Sequence, residues 1–159
     1  MSWLRALMLL ALIVWIGGII FFSFAVAPTL FAVLPSRELA GSVVSRCLGA
    51  LHWIGLVSGL VFLLCSIIYN QLRFANPRLF SGTHILLVLM LVLTAISQFG
   101  ITPKMQALRA EMHAIDSVPA ADTRRTEFNR LHEWSTRAEA GVLLCGLVVV
   151  VLTGRRFSN

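Results

Sequence analysis

No Asp, Glu, Lys or Arg lies between Arg5 and Arg37. Within that gap, residues 6–27 (ALMLLALIVWIGGIIFFSFAVA) are apolar almost throughout. A helix needs roughly 20 apolar residues to cross a hydrocarbon core of about 30 Å, and this segment meets that length. It exceeds the apolar stretch of about 7–15 residues in a cleaved signal peptide, and it is rich in aromatics. It reads as a retained membrane span.

Three further charge-poor runs follow, so the spans fall at about 6–27, 48–72, 81–102 and 138–154. None shows a period-two alternation, which favours helices over barrel strands. The composition agrees, with 58% hydrophobic and 13% charged residues, against about 25% charged in a soluble domain. The fold class expected is all-α: one integral membrane four-helix bundle over 1–159, with no room for a separate soluble domain. The net charge of +6 does not indicate nucleic acid, because many basic residues flank the spans, where lipid headgroups favour them. The three cysteines read as small apolar packing residues.

The connections predict more. Pro28 and Pro35 punctuate a turn after helix 1. Ser36 has the character of an N-cap, with Glu38 in the first turn of a helix running to Phe74. Helix 3 starts at Ser81, is disturbed near Gly100 and Pro103, and resumes to Asp116. Residues 117–121 (SVPAA) form a turn. Asp122 or Thr123 then caps a last helix carrying a seam at Phe128, Leu131, Ser135, Ala138, Val142, Cys145 and Val149. Helices 2–4 therefore extend into a small extramembrane helical lobe, about 36–47 and 103–137. Between Lys104 and Glu139 that lobe holds six basic and six acidic residues, a mixture suited to a solvated or mutually paired surface.

Four spans place both termini on one side. That side carries Arg5, Arg73, Arg78, Arg155 and Arg156 with no acidic side chain, whereas all seven acids lie on the lobe side. Short basic flanks dominate orientation, so the expectation is a bacterial inner-membrane protein with both termini cytoplasmic.

No HExxH, nucleophile elbow or P-loop is present, and no Lys, Arg, Asp or Glu sits at the centre of a span. The candidate metal ligands are His52, His132 and Glu139, all toward the lobe. His132 and Glu139 are seven residues apart and share a helix face. A candidate haem-ligand pair is Met8 and His84, at comparable depth on the terminal side. Gly17, Gly18, Gly55 and Gly59 read as positions where helix backbones approach closely, with Gly141 and Gly146 as further examples. Trp3, Trp53, Trp134 and Tyr69 read as interfacial belt residues, and Trp15 as buried.

The Trp15-Ile-Gly-Gly18 span, the FFSFAVAPTLF exit (residues 21–31), the Ala40-Gly41 pair and Leu131-His-x-x-Ser135 resemble the bacterial family catalogued as domain of unknown function 4149. That family is similar to the eukaryotic transmembrane protein 205 family. The resemblance implies four membrane helices and no established activity. Helix 1 alone is also similar to the first span of four-helix bacterial protoporphyrinogen oxidases and to copper-resistance D domains. The chain carries Met8 where those families carry His, and Ala-Pro-Thr where they carry an Arg-rich exit.

The expected function is a binding, accessory or transport-related membrane factor, acting on a lipid, a metal or a partner subunit. No cofactor is called for. The partners expected are membrane lipids, a second copy or other membrane subunits, and no nucleic acid. A haem- or tetrapyrrole-linked membrane oxidoreductase and a metal or small-molecule permease are the alternatives.

Overall fold

The computed structural model describes residues 2–73, 81–112 and 117–158. Helix α1 (Ser2–Phe21) passes through a π-helical turn, Phe22–Val26, into α2 (Ala27–Val33). Helix α3 (Arg37–Arg73) is uninterrupted. Helix α4 (Gly82–Ile96) passes through a second π-helical turn, Ser97–Ile101, into α5 (Thr102–Met112). Helix α6 (Thr123–Ser158) completes the chain. No strand occurs among the described residues. Four helices are long and apolar enough to cross a membrane: Ser2–Val33, Arg37–Arg73, Gly82–Met112 and Thr123–Arg156.

The termination signals show which local forces win. Pro28 does not end the first helix as its sequence context suggests. The preceding π turn already breaks the regular hydrogen-bond ladder, so a missing N–H is tolerated in the first turn of α2. The break comes at Leu34, which is extended at φ −78°, ψ 143°, the conformation forced on a residue before proline. Ser36 then caps α3 by accepting the Leu39 N–H at 3.1 Å. Asp122 caps α6 by accepting the Arg124 N–H at 2.8 Å. The expected ends at Phe74 and Asp116 lie outside the described residues.

Helix α1 packs chiefly on α3 and α4 on α6, while α3–α4 and α1–α6 contacts close the ring. Met8, Trp15, Ile19, Phe62, Leu87, Met90 and Val149 form its dry centre. The outward faces are apolar instead of polar: Ile13, Leu64, Ile85 and Leu144 each expose more than half of their surface. In water such a surface would aggregate, and in a bilayer it is the solvated face. The protein is an integral membrane protein.

Glycine sets the closest approach. Gly55 and Gly59, one turn apart on α3, form a slot for the Trp15 indole. A Cβ on Gly55 would collide with the indole Nε1, and one on Gly59 would lie 2.6 Å from its Cζ3. A Cβ on Gly18 would lie 2.8 Å from Leu51 Cδ1. Gly146 on α6 abuts Ile16. Gly17, grouped with these in the sequence, faces open space.

Candidate functional site

At the lobe end the four helices diverge around a chamber of about 860 Å³. Its walls are the first π turn, α2, the start of α3, α5 and the first half of α6. Its lining mixes apolar side chains, Ile19, Phe22, Leu48 and Leu143, with the polar ones Glu38, Arg109, His132 and Glu139. Phe24 and Phe31, also in the lining, are exposed.

Arg109 is one of four charged side chains in the lining, with Arg37, Glu38 and Glu139. Its guanidinium lies over the Phe128 ring at 5.4 Å and against the backbone at Gly41, where a Cβ would lie 2.9 Å from Nη2. The glycine therefore admits the arginine. Arg109 Nε is buried and has no hydrogen-bond partner among the described residues. A buried donor left unpaired costs about 1–3 kcal/mol, so this atom is a built-in demand for an acceptor.

Beneath the chamber, His52 (1% exposed) joins α3 to two other elements. With Gln98 presenting Oε1, His52 Nδ1–H donates to it at 3.0 Å. On the other side, Nε2 stands 3.2 Å from Glu139 Oε2. That contact pairs an imidazole nitrogen with a carboxylate oxygen. Gln98 belongs to the second π turn. It falls four residues after Thr94, in step with Leu87 and Met90 on the inward face of α4.

His52 and Glu139 are thus in direct contact. His132 lines the chamber but is itself exposed. No group of three metal-type ligands forms among the described residues, so the trio of His52, His132 and Glu139 is not assembled as a coordination site.

At the opposite end, His84 Nε2 pairs with Ser66 Oγ at 2.9 Å and Nδ1 with Ser81 Oγ at 3.0 Å. A neutral imidazole donates from one nitrogen and accepts at the other, and both are engaged here. Met8 is fully enclosed in the apolar core. The two residues do not fit a haem-ligating pair, because iron would have to displace a hydroxyl from His84 and open the core at Met8.

The belt assignment divides. Trp3, Trp53 and Trp134 are exposed by half or more. Tyr69 is not a belt residue: it is fully buried beneath Arg5, Arg73 and Arg156. Arg109 and Gln98 belong to no motif in the sequence. Helical spacing from Leu87, Met90 and Thr94 puts Gln98 on the inward face of α4, but nothing in the sequence pairs that face with His52.

No curated protein and no solved structure matches this chain significantly. The profile described as "Domain of unknown function (DUF4149)" matches residues 10–114, from within α1 through the end of α5 and over most of the chain. The bundle, its glycine-lined helix contacts and the lobe-end chamber are therefore features of a member of the DUF4149 family, to which this chain belongs.

Proposed function

We propose that the protein binds a single-chain amphiphile with an anionic head in the lobe-end chamber. The observation that supports this reading is Arg109 in the lining of a chamber that also holds Ile19, Phe22, Leu48 and Leu143, with its Nε lacking a partner among the described residues. Ligand sites of this kind range over about 300–1,000 Å³ and combine an apolar lining with a few placed polar groups. The guanidinium supplies charge-assisted donors to a carboxylate or phosphate. Ile19, Phe22, Leu48 and Leu143 supply a surface for the chain. The exposed Phe24 and Phe31 suit entry from the lipid side.

The test is a titration of the detergent-purified protein with a fluorescent long-chain carboxylate. Arg109→Gln is expected to weaken binding about tenfold, the equivalent of one charge-assisted hydrogen bond. Gly41→Leu is expected to abolish it by displacing the guanidinium. Arg130→Gln, on the exposed lobe surface, leaves it unchanged. Equal affinity in all three variants refutes the reading.

A proton-linked carrier is the second reading, favoured by the His52–Glu139 contact directly under the chamber. Buried ionisable groups in membrane helices mark proton paths. Proteoliposomes that acidify when an amphiphile is added, and lose this with Glu139→Gln, support it. No acidification in the native protein refutes it.

A further inference from the structure

Arg109 and the His52–Glu139 contact stand a fixed distance apart, and three helical segments measure that distance independently. On α3, Gly41 lies against the Arg109 guanidinium and His52 meets Glu139. On the second π turn and α5, Gln98 bonds His52 and Arg109 carries the guanidinium. On α6, the Phe128 ring lies under the Arg109 guanidinium and Glu139 meets His52. In each segment the two residues are eleven positions apart. Eleven residues make three helical turns, so each pair shares one helix face, and they advance about 16 Å.

Arg109 and Glu139 both belong to the lining of the chamber. Arg109 Nε lacks a partner among the described residues. The Glu139 carboxyl is half engaged. Its Oε2 meets His52 Nε2 at 3.2 Å, whereas Oε1 has no hydrogen-bond partner among the described residues. The Glu139 side chain is 15% exposed, so it is not sealed in the bundle as His52 is. In the sequence interval between the two levels, Val44 and Leu48 of α3 and Met105 of α5 add apolar lining. An anion suits the guanidinium, and a hydrogen-bond donor suits the carboxyl oxygen. A plain alkyl terminus reaching Glu139 would desolvate that acceptor without pairing it, which is unfavourable.

We propose that the chamber's ligand is bifunctional, with its anionic head at Arg109 and a hydroxyl at Glu139, joined by an apolar chain; this rests on the amphiphile reading given above. An extended chain advances about 1.2 Å per bond. With a hydrogen bond of about 2.8 Å at either end, the interval takes roughly 9–14 bonds between the terminal oxygens. Hydroxy acids such as ω-hydroxydecanoate and ω-hydroxydodecanoate fall within that range, and ω-hydroxyhexanoate falls short of it.

The test is displacement of a fluorescent long-chain carboxylate from the detergent-purified protein, with competitors counted as free acid outside the micelles. ω-Hydroxydodecanoate is compared with dodecanoate, and ω-hydroxyhexanoate with hexanoate. A chamber without a polar partner at the far end favours the plain acid, because burying an unpaired hydroxyl is unfavourable. The expected result at twelve carbons is the reverse: the hydroxy acid binds about tenfold tighter. At six carbons no such preference is expected. Glu139→Ala is expected to abolish the preference at twelve carbons. Arg109→Gln is expected to weaken both twelve-carbon acids and to keep the preference. Dodecanoate binding as tightly as its hydroxy acid, or an equal preference at six carbons, overturns the bifunctional ligand and leaves the amphiphile reading standing. A preference that survives Glu139→Ala does the same. Failure of the fluorescent carboxylate to bind overturns both readings. The comparisons on the native protein decide the proposal even where Glu139→Ala does not fold.

Discussion

Gly17 and Gly55 are indistinguishable as residue types in apolar helices, yet replacing each with alanine is expected to move stability in opposite directions. At Gly55 a Cβ would collide with the Trp15 indole and lie 2.8 and 2.9 Å from its Cε2 and Cδ1. A rigid ring held in a slot between two glycines cannot yield as a flexible chain end does. Overpacking of this kind costs about 1–3 kcal/mol. Alanine regains about 0.5–1 kcal/mol through its better helix propensity, leaving a net loss of roughly 1–2 kcal/mol. At Gly17 nothing lies within 4 Å, so only the propensity gain of about 0.5–1 kcal/mol remains. The assay is reversible unfolding in mixed micelles, followed by tryptophan emission. The propensity gain is common to both, so the two single variants should differ by the overpacking cost, about 1–3 kcal/mol. Trp15→Phe, which removes the part of the ring nearest Gly55, should suppress the Gly55→Ala cost when combined with it. Equal midpoints for Gly17→Ala and Gly55→Ala would refute the slot.

Glu139→Leu leaves His52 Nε2 buried without a partner and is expected to cost about 1–3 kcal/mol. Glu139→Gln, which retains a hydrogen-bonding group, should cost less, and the same micelle unfolding checks both. Ser36→Ala removes the acceptor of the Leu39 N–H and is expected to cost about 1 kcal/mol, read as faster amide exchange in the first turn of α3. The Arg124 side chain, then the Arg124 backbone N–H, hold the Asp122 carboxyl at about 2, below its usual 3.8. A depressed carboxylate stabilises the fold fully above its unfolded value and loses that contribution as pH falls through about 2. An NMR titration of Asp122 should show this midpoint, and Arg124→Gln should raise it toward 3.8.

The parts of the fold governed by local chemistry were legible in the sequence. Apolar runs gave the four long helices. Ser36 and Asp122 announced their caps. The 3–4 spacing from Phe128 to Val149 named the inward seam of α6, whose members are buried or half-buried. The shared lobe-side position of His52 and Glu139 also came through, because each lies at a known distance from a span end. What did not come through depends on phase or on distant convergence. Gln98 follows Leu87, Met90 and Thr94 on the inward face of α4 at helical spacing, but nothing in the sequence sets that face against His52. Pro28 stays inside a helix because a π turn precedes it. Tyr69 sits at a span end like a belt residue, and only the arrival of arginines from three helices makes it an interior one. Gly17 and Gly18 differ by about 100° around one helix, which decides that one faces Leu51 and the other open space. Composition carries no trace of that angle.

Helices α3 and α6 contain 37 and 36 residues, or about 55 Å of continuous helix at 1.5 Å per residue. The hydrocarbon core accounts for about 30 Å of this. A single crossing therefore leaves about 25 Å of each helix beyond one hydrocarbon thickness. Arg5, Arg73 and Arg156 gather around Tyr69 at one end of the bundle, and at the other the same unbroken helices supply part of the wall of the chamber.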